Sequence, residues 1–187
     1  MIKQQFQIKA GTVLLSSPFM DDPNFTQSAV LICSHNDQGT LGFVFNKPLV
    51  FSVNDVLESF PSLSVNIFKG GPVENNTIHF LHNAGEILDD SVPISPGVFW
   101  SGDFKKLKFL VKNELITQKD IRFFAGYTGW DKGQLEEELK ENAWFITNMD
   151  ANYLFKVSSK SVWRKMMIAK GGHFPPLADI SPDYSWN

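Results

Sequence analysis

The sequence predicts an α+β protein. Strand-like segments outnumber helical ones, several follow one another with no helix between them, and all are short. This pattern favours a sheet with segregated helices over an alternating doubly wound sheet. The 187 residues are expected to form one domain, 1–187, with 172–187 as an irregular C-terminal arm. A chain of this length buries roughly 70% of the surface its unfolded form exposes and needs no covalent staple. Seventeen Phe and five Trp predict a bulky aromatic core, since each such ring buries about 150–250 Å².

The first strand is Thr12–Ser16. SSPFMDDPNF, Ser16–Phe25, then reads as a loop, because two prolines and two aspartates interrupt any regular pattern. SAVLICS, Ser28–Ser34, is a near-continuous apolar run and predicts a strand covered on both faces. His35–Gly39 has turn composition, and Thr40–Asn46 returns as the partner of a hairpin. Ser52 and Asp55 have capping-box spacing and start a short helix to about Ser59. Strands at Val65–Lys69 and Asn76–His82 flank GGPVEN, and Gly97–Ser101 is another. Asp103 caps a helix to about Leu115, with Phe104, Leu107, Val111 and Leu115 at helical spacing. Ile121–Tyr127 is a strand, and Asp131–Asn142 an acidic helix in which Asp131 and Gln134 form a D-x-x-Q capping box. Ala143–Thr147 and Tyr153–Val157 are expected as strands. Ser159–Lys170 is expected as a helix with Val162, Trp163, Met166 and Met167 inward and Gly171 as its C-terminal cap.

Composition narrows the function. One cysteine, Cys33, allows no internal disulfide, which fits a reducing cytoplasm. The opening MIKQQFQIKAG has no apolar stretch of the secretory type. No apolar run approaches the roughly 20 residues of a membrane span. A net charge of −3 with only two arginines, Arg122 and Arg164, leaves no bulk basic surface for nucleic acid. Lys105, Lys108 and Lys112 share one helix face, but no helix-turn-helix surrounds them.

The candidate chemistry is sparse. Two glycines in GGPV, Gly70 and Gly71, could present backbone N–H groups to an anion. No G-K-[ST] follows, so this is not a nucleotide loop, and no cofactor is expected. An apolar pocket beside it, reached by His35, Asn46 and His82, is the preferred small-ligand site. Trp130, Gln134 and Glu136 form a second candidate at the start of the acidic helix, for a ligand or protein partner. Trp130 and Trp144 are read either as interface anchors or as core. Two catalytic alternatives stand beside these. One is a metal held by His35, His82 and Asp21 or Asp22, although His79 and His82 diverge on a regular strand. The other is a small-molecule hydrolase using His35 and Asp22 with Ser28, although no G-x-S-x-G elbow surrounds a serine.

The ordered set of motifs resembles the YqgE/AlgH family of bacterial proteins. It comprises Asp22-Pro23-Asn24-Phe25 with Ser28, then His35, Gly39, Gly42, Asn46 and Pro48, then Gly70-Gly71-Pro72-Val73, Leu81-His82, and GYTGWDKGQLEEEL with Trp144. Ala29 interrupts the family's D-P-x-F-x-x-S-V, and the tail adds Tyr184 and Trp186 to the usual Asp/Pro/Ser ending. The resemblance implies a branched mixed β-sheet curled into a partial barrel with a few short helices packed on it, and a bacterial cytoplasmic location. Family members are often labelled transcriptional regulators, with no reaction established. Because the motifs carry no nucleophile–base or metal-spacing signature, the expectation is a non-catalytic protein that binds a small ligand or a protein partner, not a membrane, and acts indirectly in gene regulation; a direct DNA-binding regulator is the further alternative.

Overall fold

The computed structural model describes residues 7–181. Its sheet curls into a half-barrel with short helices packed on it, a mixed α+β fold. β1 (Thr12–Ser16), β2 (Ala29–Asn36) and β3 (Gly39–Val44) form an antiparallel meander, and β10 (Trp144–Asn148) pairs antiparallel with β1 on its outer edge. β9 (Ile121–Asp131) continues the sheet beyond β3. It is followed by β6 (Val73–His82), β8 (Val98–Trp100) and β7 (Val92–Ser95), while β4 (Pro48–Ser52) and β5 (Asn66–Lys69) branch off the main path.

The apolar run of β2 is covered on both faces, as its composition predicts. Ala29, Leu31 and Cys33 enter one core with Phe43, Trp163, Met166 and Met167. Val30 and Ile32 enter another with Trp130, Leu135 and Trp144. Pleating sends alternate residues to opposite faces, so one strand feeds two cores. β9 feeds three: Phe124 joins the first, Trp130 the second, and Phe123 a third built around Leu107, Leu110 and Val111.

β9 is also where the sheet branches. Phe123–Ala125 pair in parallel with β5 on one edge and antiparallel with β6 on the other. Further along, Thr128–Asp131 pair with β3. The chain leaves β5 at Lys69 on one edge and enters β6 at Val73 on the other, so Gly70-Gly71-Pro72 must pass across β9. The two backbones touch there. A Cβ on Gly70 would lie 2.3 Å from the Gly126 oxygen, and one on Gly71 would lie 2.2 Å from the Tyr127 oxygen. Hydrogen bonds lock the crossing. Gly70 N–H donates to Ala125 O (2.9 Å), and Gly70 O accepts from Val44 N–H (2.8 Å) and from the Thr128 hydroxyl (3.1 Å).

The helices are α1 (Val53–Val56), α2 (Phe104–Lys112), α3 (Gln134–Lys140), α4 (Ala151–Phe155), α5 (Ser159–Ala169) and α6 (Phe174–Leu177). The Ser52–Asp55 capping box forms as read. Four expectations are corrected. Tyr153–Val157 is not a strand: Asp150 accepts from Asn152 N–H (2.9 Å) and starts α4, burying Leu154. Short apolar runs do not distinguish the two states by pattern alone. Asp131 does not cap the acidic helix. It ends β9, and Gly133, at φ 82°, holds the cap position. Only the returning half of the predicted box forms, with Asp131 N–H donating to Gln134 Oε1 (3.0 Å). α2 stops at Lys112 and buries Leu107, Leu110 and Val111, while Phe104 and Leu115 stay exposed. The arm from Gly172 contains α6, whose prolines sit in the first turn, where helical N–H groups lack partners anyway. Tyr184 and Trp186 lie outside the described residues.

The crossing sets the first expected outcome. Gly71→Ala drives a methyl into the Tyr127 backbone oxygen and the Thr128 hydroxyl and should cost about 3 kcal/mol or more. Gly133→Ala meets open space and should cost only the left-handed penalty of about 1–2 kcal/mol. Urea denaturation of both variants compares them. Equal losses would show that the crossing is not tight.

Candidate functional site

The predicted site residues fall into separate places. At the β2–β3 turn, His35 Nδ1 lies 2.7 Å from Thr40 Oγ1, its cross-strand partner, and Nε2 lies 3.8 Å from Glu136 Oε1 on α3. This contact places the hairpin end beside the helix. His82 lies at the opposite end of β9: it pairs with Ile121, whereas Thr40, opposite His35, pairs with Trp130. Nine residues of extended strand separate these positions, on the order of 30 Å. The structure therefore does not bring His35 and His82 together, for a ligand or for a metal.

His82 is fully buried, and its ring is committed inside the fold. Nε2 lies 2.7 Å from Ser101 O and must donate, while Nδ1 accepts from Ala84 N–H at 3.1 Å. That arrangement requires neutral imidazole. Burial pushes its pKa down, with the Ser101 hydrogen bond opposing. His79, half-buried beside Phe43 and Tyr127, is also pushed down by burial, with Glu74 opposing.

Asn46 is a brace: its Oδ1 accepts from Ala29 N–H (3.0 Å) and its Nδ2 donates to Gln27 O (2.8 Å). It also lines a cavity of about 280 Å³. Gly70 N–H is used at the crossing rather than offered to an anion. Ser28 is buried, and its N–H donates to Ser16 Oγ. It stands seven residues from His35 along β2, roughly 20 Å, so Ser28, His35 and Asp22 form no relay. Asp22 closes an exposed turn by accepting from the backbone and side chain of Asn24. Cys33 is buried, which raises its thiol pKa strongly.

Trp130 and Trp144 are core residues, packed edge to face at 5.8 Å. Both indoles donate to one oxygen of Glu138, at 2.9 and 2.7 Å, and Gln134 Nε2 donates to the other at 2.9 Å. Buried indole N–H groups need acceptors. Glu138 was missed in the sequence, where it is one of three consecutive glutamates. The available signal was its position four after Gln134, on the same helix face.

A larger hollow lies elsewhere. A cleft of about 590 Å³ opens between the β4–β5 branch, the start of β9, α4 and the first turn of α5. Phe45, Phe68, Tyr153 and Phe155 line it, together with Arg122 and Lys119. Arg122 donates from Nη1 to Gln118 O and Ile121 O (both 2.8 Å) and from Nη2 to Phe155 O (3.0 Å). A guanidinium has five N–H groups, so two remain without a partner among the described residues. Burial pushes its pKa down, with Asp120 opposing. Asp120 forms no salt bridge with it, because its carboxylate accepts from Thr117 and Asn83. Arg122 was noted in the sequence only as a measure of how few arginines there are.

The branched, curled sheet and its glycine crossing define an α+β class in which one central strand serves several cores. The chain belongs to the AlgH-like family, whose profile (DUF179) matches residues 13–175. It is 37% identical over 180 residues to UPF0301 protein CT0663 of Chlorobaculum tepidum, covering 96% of each. A UPF0301 protein of Cytophaga hutchinsonii is 37% identical over 174 residues, covering 92% of this chain and 96% of that one. The solution structure of the AlgH protein from Pseudomonas aeruginosa matches with a TM-score of 0.73 and 28% identity, over 96% of this chain and 98% of that one. The crystal structure of protein DIP2367 from Corynebacterium diphtheriae shares the fold, with a TM-score of 0.79 and 20% identity over 94% of each chain. No helix among the described residues is long and apolar enough to cross a membrane.

Two outcomes follow from the committed side chains. Glu138→Ala strands two indole N–H groups and should cost about 2 kcal/mol, with a change in tryptophan near-UV dichroism. Glu137→Ala, on the exposed side, should stay within about 0.5 kcal/mol. Matching losses would deny Glu138 its role. The second outcome concerns pH. His79 and His82 have folded pKa values below their unfolded value near 6.5. Above that pH both states are neutral. As pH falls below it, the unfolded chain takes up protons first, so stability is lost. The melting temperature should drop between pH 7 and 5.5, and less steeply in His82→Gln. An unchanged slope in the variant would remove His82 as a cause.

Proposed function

We propose that the protein is a non-catalytic binding protein of the bacterial cytoplasm, and that the cleft beside Arg122 is where it takes its ligand. One observation carries this reading: a half-buried guanidinium with no salt bridge among the described residues lines an aromatic cleft. Ligand sites are typically concave, largely preformed, and supplied with a few polar groups that fix orientation. In this reading His35, Asn46, His82, Trp130 and Gln134 are structural, because their polar atoms hydrogen-bond within the protein, and Glu136 stands 3.8 Å from His35. Any effect on transcription is indirect. Lys105, Lys108 and Lys112 lie on one short helix, and the Lys108 ammonium sits over the Phe104 ring.

A thermal-shift screen of neutral and charged fragments tests the reading. A ligand at 100 times its dissociation constant should stabilise the fold by about 2.7 kcal/mol, and Tyr153→Ala should abolish the shift. A hit unaffected by Tyr153→Ala would place binding elsewhere. Turnover of a generic ester or phosphate, lost on His35→Ala, would overturn the non-catalytic reading.

A further inference from the structure

The cleft has a neighbour. The cavity of about 280 Å³ lined by Asn46 also contains Lys47, Lys160 and Arg164, and Ser159 at the first turn of α5 lines both hollows. The lining of the two together includes five cationic side chains and no Asp or Glu. This is not the chain's average, because acidic residues outnumber basic ones 20 to 17. Of the five, only Arg164 forms a salt bridge among the described residues, with Asp179, while Asp120 acts on Arg122 and Lys119 without bonding to them. Lys47 donates to Thr26 O (2.6 Å), and burial lowers its pKa, as it does for Arg122. Half-buried cations without a bonded counter-ion are held at a cost. An anion seated between them removes that cost, and a guanidinium with free N–H groups is suited to phosphate or carboxylate. Asp120 faces an adjoining hollow, which shares Lys119 and Phe155 with the cleft, and its carboxylate already accepts from Asn83 and Thr117.

We propose that the two cavities flanking the first turn of α5 form one site for a small organic anion. Its phosphate or carboxylate groups meet Arg122, Lys119 and Lys47, and its planar body lies against Phe68 and Tyr153. This rests on the binding reading above and adds the ligand class.

The chain's two arginines make the test selective. In an ¹⁵N spectrum, the Arg122 side-chain Nε–H signal is assigned by its loss in Arg122→Gln, and Arg164 gives the second signal. ADP should shift the Arg122 signal saturably, and adenosine at the same concentration should not. Arg122→Gln should weaken ADP at least tenfold. Lys119→Gln, whose ammonium has no hydrogen bond or salt bridge among the described residues, should weaken it about threefold and carries the test if Arg122→Gln does not fold. Lys108→Gln should bind as the natural chain does. Pyrophosphate and citrate divide the class: a shift with either supports the site and identifies the preferred anion. If none of the three anions moves the Arg122 signal at millimolar concentration, the proposal is overturned. Undiminished ADP binding by Lys119→Gln and Arg122→Gln would overturn it equally. Neutral planar fragments that bind while anions fail would leave the cleft as a binding site and remove only the anion assignment.

Discussion

The passage of Gly70 and Gly71 across β9 is the constraint on which the rest of this structure depends. It moves the chain from one edge of the central strand to the other within three residues, and it leaves no room for a side chain on either glycine. Because of it, β9 has strands on both edges along Phe123–Ala125 and still reaches β3 at its far end. That lets one strand deliver Phe123, Phe124 and Trp130 to three separate cores. The cleft beside Arg122 follows from the same branch: β5 sits on one edge of β9, and α4 and α5 close over the gap it leaves.

Polar groups in the interior are almost all engaged. His82 is held between a carbonyl and an amide, Asn46 spans two backbone groups, and Glu138 accepts from two tryptophans and a glutamine. Low interior polarity makes an unmet hydrogen bond costly, so residues of reactive type inside such a fold are usually structural. The two spare N–H groups of Arg122 stand out against this background.

What could be read in the sequence follows from how local each cause is. The buried strand β2, the Ser52–Asp55 cap and the inward face of α5 depend on neighbouring residues, and all three were legible. β4 and β7 were not. β4 is largely exposed, and β7 is a four-residue strand containing Pro93 at the end of the sheet path, so neither carries alternation to read. Tyr153–Val157 read as a strand because its four apolar and aromatic residues, interrupted only by Lys156, satisfy either period, and Asp150 decided the matter from outside the run. GGPV was legible as a place where backbone needs freedom. Whether that freedom serves an anion or a second strand depends on Gly126–Thr128, more than 50 residues later. Arg122 had no local signal: its surroundings come from α4, β5 and the start of α5.

The crossing also fixes an order of assembly. Gly70 and Gly71 cannot be clasped until Ile121–Asp131 is present, so β5 and β6 must wait for a strand made some 50 residues after them. β1, β2 and β3 can pair as soon as they exist. Closing so long a loop costs entropy before any contact repays it, and topologies dominated by distant pairings fold slowly. During synthesis, the first half of this chain therefore carries an open sheet edge at β3, ready-made for pairing, until β9 emerges to cover it.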